Sequence, residues 1–396
     1  MGVLDCAGAS AADDPHCGGH HWPVPEEGRR SPLSQALSNV AAAVDWSVAE
    51  KVAIRTAKKD PFASSYHYQS LQPDFDRLTA IAEELVAQET GLRSLAGPAR
   101  ARVTDRPGWI RANLASFQRL LAPMLDKFGD RVSSSRVAPI TARLAGAELG
   151  VMLGWMSARV LGQYDLLVIE EENPQDQDIV YYVGPNVLAL EKQFAFPPEE
   201  FRMWLALHEV THRAQFTGVP WLREHFLGLV HETMNTIDPD PARMSETIAR
   251  VTTAIRSGQK PLADGGLMTL IASPEQRAVL DQVSGMMSLL EGHGDITMDR
   301  AGQDLVPSAD RFGKVLRERR ESARGLARVF QQLIGLQAKL AQYAQGEAFI
   351  TDVERAGGQQ LLSRAWEGPE NLPSILEIRD PQRWIDRMGA ALPVAG

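Results

Sequence analysis

Cysteine is nearly absent from this chain: among 396 residues only Cys6 and Cys17 carry thiols, both near the start, so no disulfide framework holds the fold. Long apolar runs are missing too, and nothing reaches the ~18 residues of a membrane span. The nearest approach, Leu144 to Leu161, is interrupted by Glu148 and Arg159. Its Gly146, Gly150, Gly154 and Ala158 recur every fourth residue, a face suited to close helix packing in a core. Positive charge is scarce: 41 Lys and Arg stand against 50 Asp and Glu, a formal charge of −9, which disfavours nucleic acid and anionic membranes as partners. The one basic run, Arg317, Arg319, Arg320 and Arg324, is interleaved with Glu318 and Glu321 and reads as a solvated helix face. The first residues lack the basic start, apolar run and small-residue cleavage site of a secretory signal, so a cytoplasmic location is expected.

What remains is an ordinary globular composition, 44% hydrophobic and 23% charged. Residues 1–31, rich in Gly, Pro, His and Asp without periodicity, read as a disordered N-terminal extension. Cys17 with His16, His20 and His21 could bind a soft metal there. Folded chain is expected over 32–396, in a helical first part (32–162) and a second part (163–396). Helices are predicted near 33–58, 73–92, 107–128 and 137–162. Two β-rich runs follow, Asp165–Glu170 and Asp178–Val183, which predict a small hairpin. Further helices are predicted near 221–235, 241–257, 274–301, 308–345, 351–365 and 381–391. The expected fold is mainly α, with the hairpin placed before one distinctive helix.

That helix carries chemistry. Met203 to Phe216 holds His208-Glu209-Val-Thr-His212 inside an apolar segment of helical period, with Pro197, Pro198, Glu199 and Glu200 as its start. Four residues apart, His208 and His212 project from one helix face, where two imidazoles can hold one Zn²⁺, and Glu209 beside them can reach a water on that metal. A hairpin edge just ahead could lay an extended peptide across such a site by main-chain hydrogen bonds, or simply cover the helix.

A catalytic zinc normally has three protein ligands and an open position. The extended motif that supplies a third histidine fails, because Gln215 and Gly218 occupy its Gly and final His positions. Two carboxylates compete. Glu232 lies 20 residues past His212, a spacing that resembles thermolysin-like peptidases, but Thr236 stands where those peptidases place a supporting Asp. Glu291, 79 residues past His212, is followed four residues later by Asp295 on the same helical face, suited to hold a ligand histidine's ring from behind. Glu291 is favoured, with His293 a further candidate and Asp299–Arg300 an expected supporting ion pair. His293, Tyr343 and Arg300 are of suitable type to stabilise an oxyanion.

Val44-Asp45-Trp46, Asp105 to Ile110, Leu207 to Phe216 with Gly218 to Trp221, and Ser288 to Asp295 together resemble the zincin-like family of zinc-dependent metalloproteases, some associated with deazaflavin coenzyme biosynthesis. The similarity runs from about residue 37 to 391. It implies a mainly helical zincin-like fold and one Zn²⁺ at His208, His212 and Glu291, with Asp295 behind them. The function expected is hydrolysis of a peptide or small amide with Glu209 as general base. The alternative is a zinc-stabilised binding or scaffold protein without catalysis.

Overall fold

The computed structural model describes residues 44–57, 60, 62, 65–133, 138–166, 178–235, 274–321 and 336–389. The extension expected over 1–31, the helix expected over 241–257, the middle of that expected over 308–345 and most of the strand expected at Asp165–Glu170 lie outside the described residues. The described chain is mainly helical with one small sheet, as expected.

Helix α1 (Trp46–Thr56) is capped by the Asp45 carboxylate, which accepts from the Val48 N–H at 3.0 Å. It lies along α5 (Ala138–Ser157), where Gly146, Gly150 and Gly154 face the backbone of Asp45, Ala49 and Ala53; a Cβ on Gly150 would stand 2.5 Å from the Ala49 carbonyl oxygen. The small-residue face is therefore a helix–helix contact within the fold. Between these helices run α2 (Tyr66–Gln69), α3 (Leu71–Thr90), strand β1 (Arg100–Thr104) and α4 (Arg106–Ser133). No described helix is long and apolar enough to cross a membrane.

The sheet has the order β1-β3-β2, with β2 at Gly162–Tyr164 and β3 at Ile179–Val183. β2 pairs antiparallel with β3, Gly162 opposite Tyr182, so the expected pairing exists but begins earlier than Asp165 and takes the last residue assigned to the 137–162 helix. β1 was not anticipated. Its Arg-Ala-Arg-Val-Thr sequence carries little apolar signal, and it pairs parallel with β3, Arg100 opposite Ile179, across a separation no local turn could announce. β3, Ile-Val-Tyr-Tyr-Val, is buried throughout, as befits a central strand covered on both faces.

From β3 the chain enters α6 (Gly184–Phe194), also unanticipated, and then α7 (Pro198–Gly218), which carries the His-Glu-x-x-His motif. Pro198 at the first helical position fixes φ where no N–H bond is needed, and Glu199 and Glu200 complement the N-terminal dipole. Phe201, Leu205, Ala206 and Val210 join a core with Phe75, Leu78 and Ala82 of α3 and with Val180 and Tyr182 of β3. Beyond α8 (Leu222–Asn235), α9 (Pro274–Ala301) packs across α7. α10 (Ala309–Glu321) buries Phe312 against Phe196 and Phe201 of the same core. α11 (Leu336–Ser363), α12 (Ile375–Arg379) and α13 (Pro381–Gly389) form a second core with α9, around Leu289, Phe349 and Trp384.

One buried cation ties these layers together. Arg213, 1% exposed, donates from Nε to Asp178 at 3.0 Å, from Nη1 to Glu83 at 2.6 Å and from Nη2 to the Gly97 carbonyl at 2.6 Å. Paired this fully, a buried guanidinium is tolerated; stripped of a partner it becomes strongly destabilising. We expect Gly150→Val to lower the urea midpoint of unfolding by an amount corresponding to about 1–3 kcal/mol, since the added side chain must push α1 away from α5. An unchanged midpoint would show that this contact yields freely.

Candidate metal centre

Four candidate side chains come from two helices that cross. On α7, His208 and His212 face the same way, their Nε2 atoms 3.3 Å apart. On α9, Glu291 brings Oε2 to 3.6 Å from His212 Nε2, and Asp295 brings Oδ1 to 3.6 Å from His208 Nδ1. His208, His212 and Glu291 each offer one ligand atom within 4.8 Å of the others. The structure thus brings together the three residues expected as ligands, with Asp295 behind His208. Glu232 is exposed on α8 and is not part of this cluster.

Donors ~2.0–2.1 Å from a tetrahedral zinc would stand about 3.3–3.4 Å from one another, close to the separations found here. Room is also kept for an ion. Gly294 faces both imidazoles: a Cβ there would lie 3.2 Å from His212 Cε1 and 3.9 Å from His208 Cε1, so any side chain would crowd the rings. Two imidazoles and one carboxylate form a borderline-soft donor set that suits Zn²⁺.

Gln215 fixes the orientation of His212, a role that residue type and motif did not point to. Its Nε2 donates to the Leu290 carbonyl at 3.0 Å and lies 3.0 Å from His293 Nδ1, so its Oε1 is left to accept from His212 Nδ1, also at 3.0 Å. His212 therefore keeps a hydrogen on Nδ1 and turns Nε2 to the cluster, where loss of its proton exposes the lone pair. The only signal available was position, since Gln215 lies three residues past His212 on the same helix face.

Other expectations fare differently. His293 is buried and turned away from the cluster, its ring 5.1 Å from that of Trp366. Arg300 pairs not with Asp299 but with Glu354 at 2.6 Å and Glu89 at 3.7 Å, because consecutive residues on a helix point in different directions and do not face each other. The side chain of Tyr343 lies outside the described ones. Glu209 is buried beside β2, with a Cβ on Gly162 coming 2.6 Å from its Oε1. Gly162 is thus the only residue type that leaves the carboxylate in place, and nothing in Leu161-Gly162-Gln163 suggested it.

Electrostatics mark the cluster as acid-rich. Burial would lower the His212 pKa, but the Glu291 and Glu209 carboxylates and Gln215 hold it up to about 9. Burial, with Glu347 and Glu291 nearby, pushes the Asp295 carboxyl up to about 7. Burial also takes His293 down to about 4, so that ring is neutral at physiological pH. A cation entering the cluster must displace the proton held at His212. Zinc affinity should therefore weaken as pH falls below about 9 and level off above it, with about one proton released per zinc near pH 7.5. Isothermal titration in buffers of different ionisation enthalpy measures that release. A pH-independent affinity between pH 6 and pH 9 would contradict it.

The model of a family described as zincin-like metallopeptidase matches residues 44–385. A crystal structure from Chloroflexus aurantiacus, described as a "putative hydrolase with a novel fold", is 32% identical and covers 87% of this chain and 99% of its own, with a TM-score of 0.64. No curated protein matches the chain.

Proposed function

The chain belongs to the zincin-like metallopeptidase family, and from that premise we propose that it is a zinc-dependent hydrolase that cleaves a peptide or small amide bond. The observation that carries the reading is the convergence of His208, His212 and Glu291 from two helices, with Glu209 held beside them. Family membership implies a zinc cofactor, and in this reading those three residues hold it.

When bound, zinc supplies Lewis acidity, acidifying water and polarising a carbonyl. The chain's own residues do the rest. Glu209 accepts the proton of the attacking water and later delivers it to the leaving amine. Gly162 keeps that carboxylate packed against β2, so its aim is set by backbone rather than by a mobile neighbour. Asp295 and Gln215 hold the two imidazoles from behind. Among the described residues β2 pairs with β3 on one side only and lies in contact with α7, so in this reading an extended substrate adds to the sheet as a strand near the cluster.

Two measurements test this reading. Glu291→Ala should lose zinc to a competing chelator far more readily than Asp295→Ala, whose supporting role predicts a ~10–100-fold loss, while Glu232→Ala should match wild type. Intact affinity in Glu291→Ala with collapse in Glu232→Ala would reverse the ligand assignment. Glu209→Gln keeps shape but cannot take a proton, so it should retain zinc and fold while turnover drops on the order of 10²–10⁴-fold. Wild-type turnover in that variant rules the mechanism out. A broad screen of peptides and small amides without zinc-dependent cleavage would instead favour the scaffold role.

A further inference from the structure

Behind α9, on the side away from the metal cluster, lies a cavity of about 270 Å³ between the end of α3, α9 and the last turns of α11. At a water's share of ~30 Å³, it has room for roughly nine non-hydrogen atoms. None of His208, Glu209, His212, Glu291 or Asp295 lines it.

Its walls are of three kinds. Ile296, Ile350, Leu362 and Trp366 form an apolar side. Gln359, Gln360 and Ser363 form a neutral polar side, brought there by the break in α11 at Gly358, whose φ of +67° only glycine adopts readily. The third is charged. Arg300 is committed to Glu354 by a bidentate pair at 2.9 and 2.6 Å, while Glu89 stands 3.7 Å from the same guanidinium. Two carboxylates thus face one cation, and Glu89, beyond hydrogen-bond distance, keeps acceptor capacity.

His293 completes the lining. Because the Gln215 amide donates to its Nδ1, the ring hydrogen sits on Nε2, which has no hydrogen-bond partner among the described residues. The cavity therefore offers an excess carboxylate, an imidazole N–H donor and an apolar wall, a combination that selects a cationic head, an acceptor and an apolar arm in one molecule. An anionic ligand would meet Glu89 and Glu354 with Arg300 already engaged.

We propose that this cavity is a binding site for a small α-amino amide, with the ammonium at Glu89, the carbonyl at His293 Nε2 and an aliphatic side chain on Ile296, Leu362 and Trp366. The site is separate from the proposed hydrolase centre and does not depend on that reading. Two hydrogen bonds join them, since Gln215 contacts both His293 and His212.

The test is isothermal titration of the full chain carrying Glu209→Gln, so that the proposed hydrolysis does not consume the probe, with L-leucinamide, a probe of matching size, and with 4-methylpentanamide, which lacks the amine. Leucinamide should bind one per chain with Kd about 1 mM or tighter, and the amine-free amide about tenfold more weakly. Ser363→Trp, which fills the cavity from an exposed position, and Glu89→Gln should each weaken leucinamide about tenfold or more. His208→Ala removes a ring from the metal cluster and none from the cavity, so it should leave leucinamide affinity unchanged. Absence of saturable binding would overturn the proposal. So would loss of binding in His208→Ala with retention in Ser363→Trp, which would assign the amine to the metal cluster instead.

Discussion

Everything at the centre depends on two helices meeting with the accuracy of a hydrogen bond. α7 supplies two imidazoles and α9 a carboxylate, and a shift of an ångström between them would leave three unrelated side chains. The joint is Gln215, which reaches from α7 to the Leu290 carbonyl on α9 and at the same time holds His212. Close approach on the other side of α9 is secured by Gly292 against Gly346 of α11, where a Cβ on Gly292 would stand 2.6 Å from the Glu347 amide nitrogen. The glycines around Glu291 therefore offset their poor helix propensity by letting α9 be gripped between two neighbours.

Electrostatics add a second condition. Arg213, adjacent in sequence to His212, is saturated by Asp178, Glu83 and the Gly97 carbonyl, so its charge is spent on the scaffold and does not repel a cation at the cluster. On the facing side carboxylates accumulate, and Asp295 and Asp299 are both held above the usual carboxylate range by burial and by Glu347. Mutual repulsion among these groups is relieved by positive charge, which makes the fold favour occupation by a cation as well as merely permit it.

Much of this was legible in the sequence because it is local. The α7 motif fixes its own geometry through helix spacing, and Glu291 with Asp295 does the same on α9, so each half of the cluster could be read alone. Gly146, Gly150 and Gly154 announced their contact for the same reason. What could not be read depends on partners far along the chain. β1 pairs in parallel with a distant strand, Gly162 matters only because Glu209 lies against it, and Arg300 chose Glu354 and Glu89 over its neighbour Asp299. α6 escaped notice because Gly184-Pro185 reads as a turn, whereas the proline sits in the first turn of a helix.

The 79-residue separation of His212 and Glu291 also orders events during synthesis. At ~5–20 residues per second, the two imidazoles leave the ribosome several seconds before the carboxylate that completes their set. A lone helical histidine pair binds metals weakly and follows their intrinsic affinity order, which places copper above zinc. Only when α9 docks does the donor set become three-cornered, oxygen-containing and enclosed. On the proposed zinc reading, discrimination among metals is therefore a property of the docked helices and not of the motif helix alone.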